Sequence, residues 1–101
     1  MKSRRSDISQ VQSELSPERR ALLARKGEIL YGKFCGTRGQ GICAESFAVY
    51  QLRIGQPEVV EDLIGFLDAK IQALREHDPE GRLALTEALA SRIRRHLEVE
   101  A

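Results

Sequence analysis

A chain of 101 residues supports a single hydrophobic core, and at this size burial is adequate without surplus, so a partner or a second copy would add to its stability. Hydrophobic residues make up 42% and charged residues 31%, with five aromatics and no Trp, which fits a soluble globular protein and argues against an aromatic cage around a large cofactor. The net charge of +1 is unlike that of a basic nucleic-acid binder, but it is polarised: residues 1 to 56 carry ten Lys or Arg against five Asp or Glu, residues 57 to 78 two against six, and residues 79 to 101 four against four.

The first ten residues, MKSRRSDISQ, are basic, and no apolar run follows them. No stretch approaches the roughly eighteen apolar residues of a spanning helix, so a cytoplasmic protein with no membrane partner is expected. Twelve Arg against four Lys, with no Asn, is the compositional bias of a GC-rich bacterial genome. Residues 1 to 15 read as a flexible basic tail in which Ile8, Val11 and Leu15 could line a short helix. Residues 16 to 101 read as one helical domain.

Ser16-Pro17-Glu18 places an N-cap, an N1 proline and a first-turn acid ahead of RRALLARKGEIL, which predicts a helix over 17 to 33. Leu23, Gly27, Leu30 and Phe34 fall on one face at steps of four, three and four. A glycine in that stripe costs roughly 1 kcal/mol relative to Ala, and close approach of another helix is one reason to have it there. The same sixteen residues, LSPERRALLARKGEIL, resemble the helical part of docking segments and linkers in modular peptide and polyketide synthases. The strand-forming hairpin that precedes that helix in such modules has no counterpart in residues 1 to 14. The resemblance implies a role in holding larger proteins together through Leu22, Leu23, Ile29 and Leu30.

FCGTRGQGIC, residues 34 to 43, has three glycines in ten residues and predicts a loop. Beyond it, Cys43, Phe47, Tyr50 and Ile54 follow the helical period, with Gly55 placed to terminate a helix over 43 to 54. The alternative is a strand, because Phe47, Val49 and Tyr50 favour β structure, and a short hairpin within residues 29 to 54 would make the fold α+β. The clearest pattern comes next. Val60, Ile64, Leu67, Ile71 and Leu74 predict a helix over 57 to 77 opened by Pro57, and Leu85, Leu89, Ile93 and Leu97, thickened by Ala88, predict another over 80 to 98. Asp78-Pro79-Glu80-Gly81 breaks between them, and so short a connection makes the pair antiparallel. The expected fold is all-α, a small four-helix bundle-like domain with a C-terminal antiparallel hairpin.

No catalytic signature stands out. Cys35 and Cys43 flank a glycine-rich loop and are candidate redox residues, but Cys-x7-Cys with His77 and His96 far away matches no common zinc spacing, so no metal and no cofactor are expected. Lys33 and Arg38 beside the predicted helix start, with Arg92 and Arg95 near the C-terminus, are candidate anion-binding residues. His77 and His96 lie near helix C-termini, where capping or the helix dipole accounts for them. The third predicted helix carries Val59, Leu63, Phe66 and Ala73 beside its main stripe, an arc wider than one neighbour covers. The expected function follows from that arc: a non-enzymatic protein-binding regulator, adaptor or accessory subunit, self-associating as a homodimer on residues 57 to 97. Its candidate binding residues are Phe47, Tyr50, Val59, Leu63, Phe66 and Ile71. The alternative is a dimeric nucleic-acid-binding regulator that uses the basic tail and the Arg92 to Arg95 segment.

Overall fold

The computed structural model describes residues 15–35 and 42–100. Within them the chain forms a compact all-α domain of four packed helices with no strand: α1 (Pro17–Leu30), α2 (Ile42–Arg53), α3 (Pro57–Glu76) and α4 (Leu83–Glu100). The α+β alternative is thereby excluded, since the stretch that held the β-formers is α2. On that helix Phe47 is packed into the core, Val49 is half-buried and Tyr50 is exposed. A five-residue π-helical turn, Tyr31–Cys35, extends α1. The predicted tail before Leu15 and residues 36 to 41 of the predicted loop lie outside the described residues.

Local chemistry sets the boundaries. The Ser16 hydroxyl accepts the backbone N–H of Arg19 at 3.1 Å, and Pro17 fills the first helical turn, where a missing N–H costs nothing. α2 ends as its glycine predicts. Gly55 adopts φ +79°, its N–H donates to Leu52 O at 3.1 Å, and the Gln56 N–H reaches Gln51 O at 2.8 Å, the paired bonds of a left-handed helix stop. Pro57 then opens α3 at once.

α3 is the central element, packing against α1, α2 and α4, while α2 also touches α1 and α4. All five residues of its predicted stripe are buried, and so are Val59 and Leu63 on the adjoining arc. Phe66 is half-buried against the core, with its ring edge-on to Tyr31 at 5.6 Å and 76°. Ala73 is exposed. The wide arc of α3 is therefore covered by the chain's own α1 and α2. α3 and α4 are antiparallel, as Arg75 to Glu87 near the connection and Asp68 to Arg94 further along both show.

Three helices sit rotated from their predicted stripes. On α1 the deepest residues are Ala24 and Gly27, followed by Tyr31 in the π turn, while Leu23 and Leu30 are half-buried flanks. On α2 the buried face is Ala44, Phe47, Ala48 and Gln51, which leaves Tyr50 outside. On α4 it is Thr86, Leu89, Ala90 and Ile93, with Leu85 39% exposed and Ala88 exposed. Thr86 tolerates complete burial because its hydroxyl is satisfied: it donates to Arg82 O at 2.8 Å and lies 2.7 Å from the Tyr31 hydroxyl.

A candidate docking face on the second and fourth helices

The end of α4 is tied to the beginning of α2 through one carboxylate. Arg92 and His96 lie four residues apart, on one side of α4, and both reach Glu45. Arg92 Nε donates to Glu45 Oε1 at 2.9 Å, and His96 Nε2 lies 2.9 Å from Glu45 Oε2. Burial pushes the Glu45 carboxyl up, but its hydrogen bonds to His96 and Arg92, with their charges, outweigh this and hold it below its ordinary value. Glu45 is thus an anion at neutral pH whose charge is matched from α4.

Around this clamp the surface is concave on both sides. One hollow, about 410 Å³, is lined by Glu45, Ser46, Val49, Tyr50, Arg53 and His96. The other, about 240 Å³, is lined by Glu45, Arg92, Arg95, His96 and Val99. Glu45 and His96 border both, so their bond forms the ridge between them. Ser46, Tyr50 and Arg53 recur at four and three along α2 and are all exposed. Tyr50 is 58% exposed and Val99 77%, which sets one large apolar body on each side of the ridge. Arg53 and Arg95 add exposed cations, and no carboxylate among the described residues pairs with either. Among those residues no hydrogen bond joins Ser46 to His96, so the His96–Glu45 pair stands as an interhelical tie without an attached nucleophile.

Only part of the predicted site lies on this face. Tyr50, Arg92 and Arg95 belong to it. Val59, Leu63, Ile71 and Phe47 are core residues enclosed between the packed helices, and Phe66 packs against that core from its edge. Lys33 is exposed on the π turn, far in sequence from the face. Arg38 lies outside the described residues. Cys43 is a half-buried free thiol at the start of α2, and the Cys35 side chain is outside the described set. The Arg92 to Arg95 cluster is divided by helical geometry: Arg92 turns to Glu45 on α2, Arg94 to Asp68 on α3, and Arg95 to solvent.

Glu45, Ser46, Arg53 and Val99 were not predicted as site residues. The spacing of Arg92 and His96 signalled a shared side, but nothing local to Glu45 could indicate partners 47 and 51 residues further along the chain. No helix among the described residues is long and apolar enough to cross a membrane, and no group of three or more His, Cys, Asp or Glu among them could hold a metal ion. Comparison with protein-family models, curated proteins and solved structures gives no match.

Proposed function

We propose that this chain is a non-enzymatic protein-binding regulator, adaptor or accessory subunit that receives a partner on the face of Tyr50, Arg53, Arg95 and Val99. The observation that carries the reading is Tyr50, an aromatic residue 58% exposed on a helix whose own core face is already filled by Phe47 and Ala48. Tyr and Arg are the residue types enriched where binding energy concentrates, and here both stand beside hollows that could seat a partner's side chains. The partner segment this chemistry suits is apolar with an acidic neighbour, because Arg53 and Arg95 remain open while Glu45 is already matched by Arg92.

Engagement of Arg92 and Arg94 by carboxylates supports a protein partner over nucleic acid, which would have to displace Glu45 and Asp68 to gain those two phosphate contacts. The homodimer expected on residues 57 to 97 would need another surface, since the apolar arc that motivated it is enclosed within the chain.

The test is affinity purification of the tagged protein and its Tyr50→Ala variant from the native cell, each split into nuclease-treated and untreated halves. Specific proteins retained by the parent after nuclease, and reduced about tenfold or more with Tyr50→Ala, are the expected outcome. Tyr50 is exposed, so thermal unfolding of the variant should match the parent. Recovery that collapses with nuclease would put the nucleic-acid reading first.

A further inference from the structure

α1 buries Ala24 and Gly27 and turns a different set of residues to water. Leu22 and Ile29 are 67% and 58% exposed, two of the largest exposed hydrophobic surfaces among the described residues. Single exposed aliphatics need no explanation. These two are seven residues apart, so they stand on one side of the helix, about 10.5 Å apart along its axis. Leu15 precedes the helix and packs against the core, so the exposed apolar line is made by Leu22 and Ile29. Two exposed aliphatics one heptad apart form a short apolar ridge that a partner helix can lie against, with the charges beside it setting the partner's pattern.

The charges beside this apolar ridge identify what kind of helix. Arg25 lies on one flank, Arg19 and Lys26 on the other, and all three are exposed. None of their side chains pairs with a carboxylate among the described residues, whereas Arg20, on the inner flank, is bound to Asp62 at 2.7 Å. Of the acids on α1, Glu18 in the first turn is exposed and Glu28 is half-buried.

We propose that this face of α1 docks an acidic amphipathic helix of another protein, with apolar residues set between Leu22 and Ile29 and carboxylates facing Arg19, Arg25 and Lys26. A second copy is disfavoured as the occupant, because the same face would meet its own cations. The chain's first fourteen residues are disfavoured for the same reason, since they carry Lys2, Arg4 and Arg5 against Asp7 and Glu14. The face is on a different helix from Tyr50 and does not rest on that reading. With both surfaces occupied the chain would join two partners.

The experiment titrates the full chain into a fluorescent peptide of about 21 residues with Leu at heptad a and d and Glu at e and g, a pattern whose like charges oppose self-pairing at neutral pH. A twin with Lys at e and g is the control. The Glu peptide is expected to bind at least about tenfold more tightly than its twin, and binding should weaken with added salt. Leu22→Ser with Ile29→Ser should lower affinity by about tenfold or more. The unfolding curve should stay in place, and Tyr50→Ala should leave binding intact. Arg25→Glu with Lys26→Glu should shift preference toward the Lys peptide. Equal binding of both peptides, binding of neither, or binding unaffected by the Leu22 and Ile29 changes would overturn the proposal. So would sedimentation of the native chain as a dimer that these two changes convert to monomer, which would make a second copy the occupant.

Discussion

Glycine at position 27 shows how much a single side chain can say before the structure is known. It interrupts an apolar stripe at a cost in helix propensity, which already suggested a close neighbour. A Cβ built there would stand 3.0 Å from Leu63 Cδ1 and 3.2 Å from the Phe47 ring. Both contacts are core side chains with little room to yield. Gly65, exposed in the middle of α3, meets nothing within 4 Å. Gly65→Ala should therefore stabilise the fold by about 0.5–1 kcal/mol through helix propensity. Gly27→Ala should destabilise it by roughly 1 kcal/mol, as overpacking outweighs the same gain. Urea denaturation of the two variants measures the contrast, and equal gains at both positions would remove close packing as the reason for Gly27. Tyr31 was less legible. It follows Ala24 by seven and Gly27 by four, on the buried face that the predicted Leu23, Gly27, Leu30 and Phe34 stripe only grazes, and there its ring packs on Phe66 and its hydroxyl meets Thr86.

At the scale of the element, the start of α4 separates propensity from capping. The sequence places this helix from residue 80, directly after Pro79, yet it begins at Leu83. Gly81 takes φ +67° and its N–H reaches back to Asp78 O at 3.3 Å, so Pro79 and Glu80 form the corner of a turn. The Asp78 carboxylate then accepts the N–H of Arg82 at 2.8 Å and of Leu83 at 2.9 Å, satisfying two donors at the helix entrance. The bond from Arg82, followed by that from Leu83, holds the Asp78 carboxyl below its ordinary value. A carboxyl whose folded pKa is lowered gives stability that is full above its unfolded pKa and is lost as pH falls through the folded one. Asp78→Ala should thus be less stable than the parent at neutral pH, and the gap should narrow as the solution is taken below the ordinary carboxylate range. Chemical denaturation across acid pH reads the gap directly, and a gap that persists unchanged into strong acid would rule out the ionised cap as its source.

Across the whole molecule, opposite charges along the sequence meet in space. Arg20 of the basic half binds Asp62 of the acidic segment, and Asp68 takes Arg94 from the last helix. These exposed pairs orient the packing more than they stabilise it. The Glu45 clamp is less exposed and joins the two helices that frame the candidate face. Glu45→Gln keeps the volume and removes the charge. It should cost about 1 kcal/mol, a modest figure because Arg92 and His96 are each somewhat over a third exposed and can return to water. Since the Glu45 pKa is lowered in the fold, the clamp's contribution is present above the ordinary glutamate range and declines as pH falls through the lowered value. The variant should also release the last turn of α4, measurable as faster amide exchange around His96. Exchange unchanged by the substitution would show that packing of Ile93 and Leu97 holds the turn without the clamp.

The sequence by itself determined where most helices lie, that α3 and α4 form an antiparallel pair, how α1 begins and how α2 ends, while the strand alternative within residues 29 to 54 was left for the structure to exclude. Those features depend on periodicity and on capping between residues a few positions apart, which a single chain displays directly. Tertiary structure decided which way each helix faces. A wide apolar arc on α3 looks the same in sequence whether α1 and α2 cover it or another chain does, and here Val59 and Leu63 went inside while Tyr50, Leu22 and Ile29 stayed out. It also decided the site, because Glu45 acquires its role only from Arg92 and His96, which the fold of the intervening helices brings within hydrogen-bonding distance. Local pattern fixes backbone conformation. Burial and charge pairing between distant segments depend on how the helices pack, and that is resolved only when the core closes.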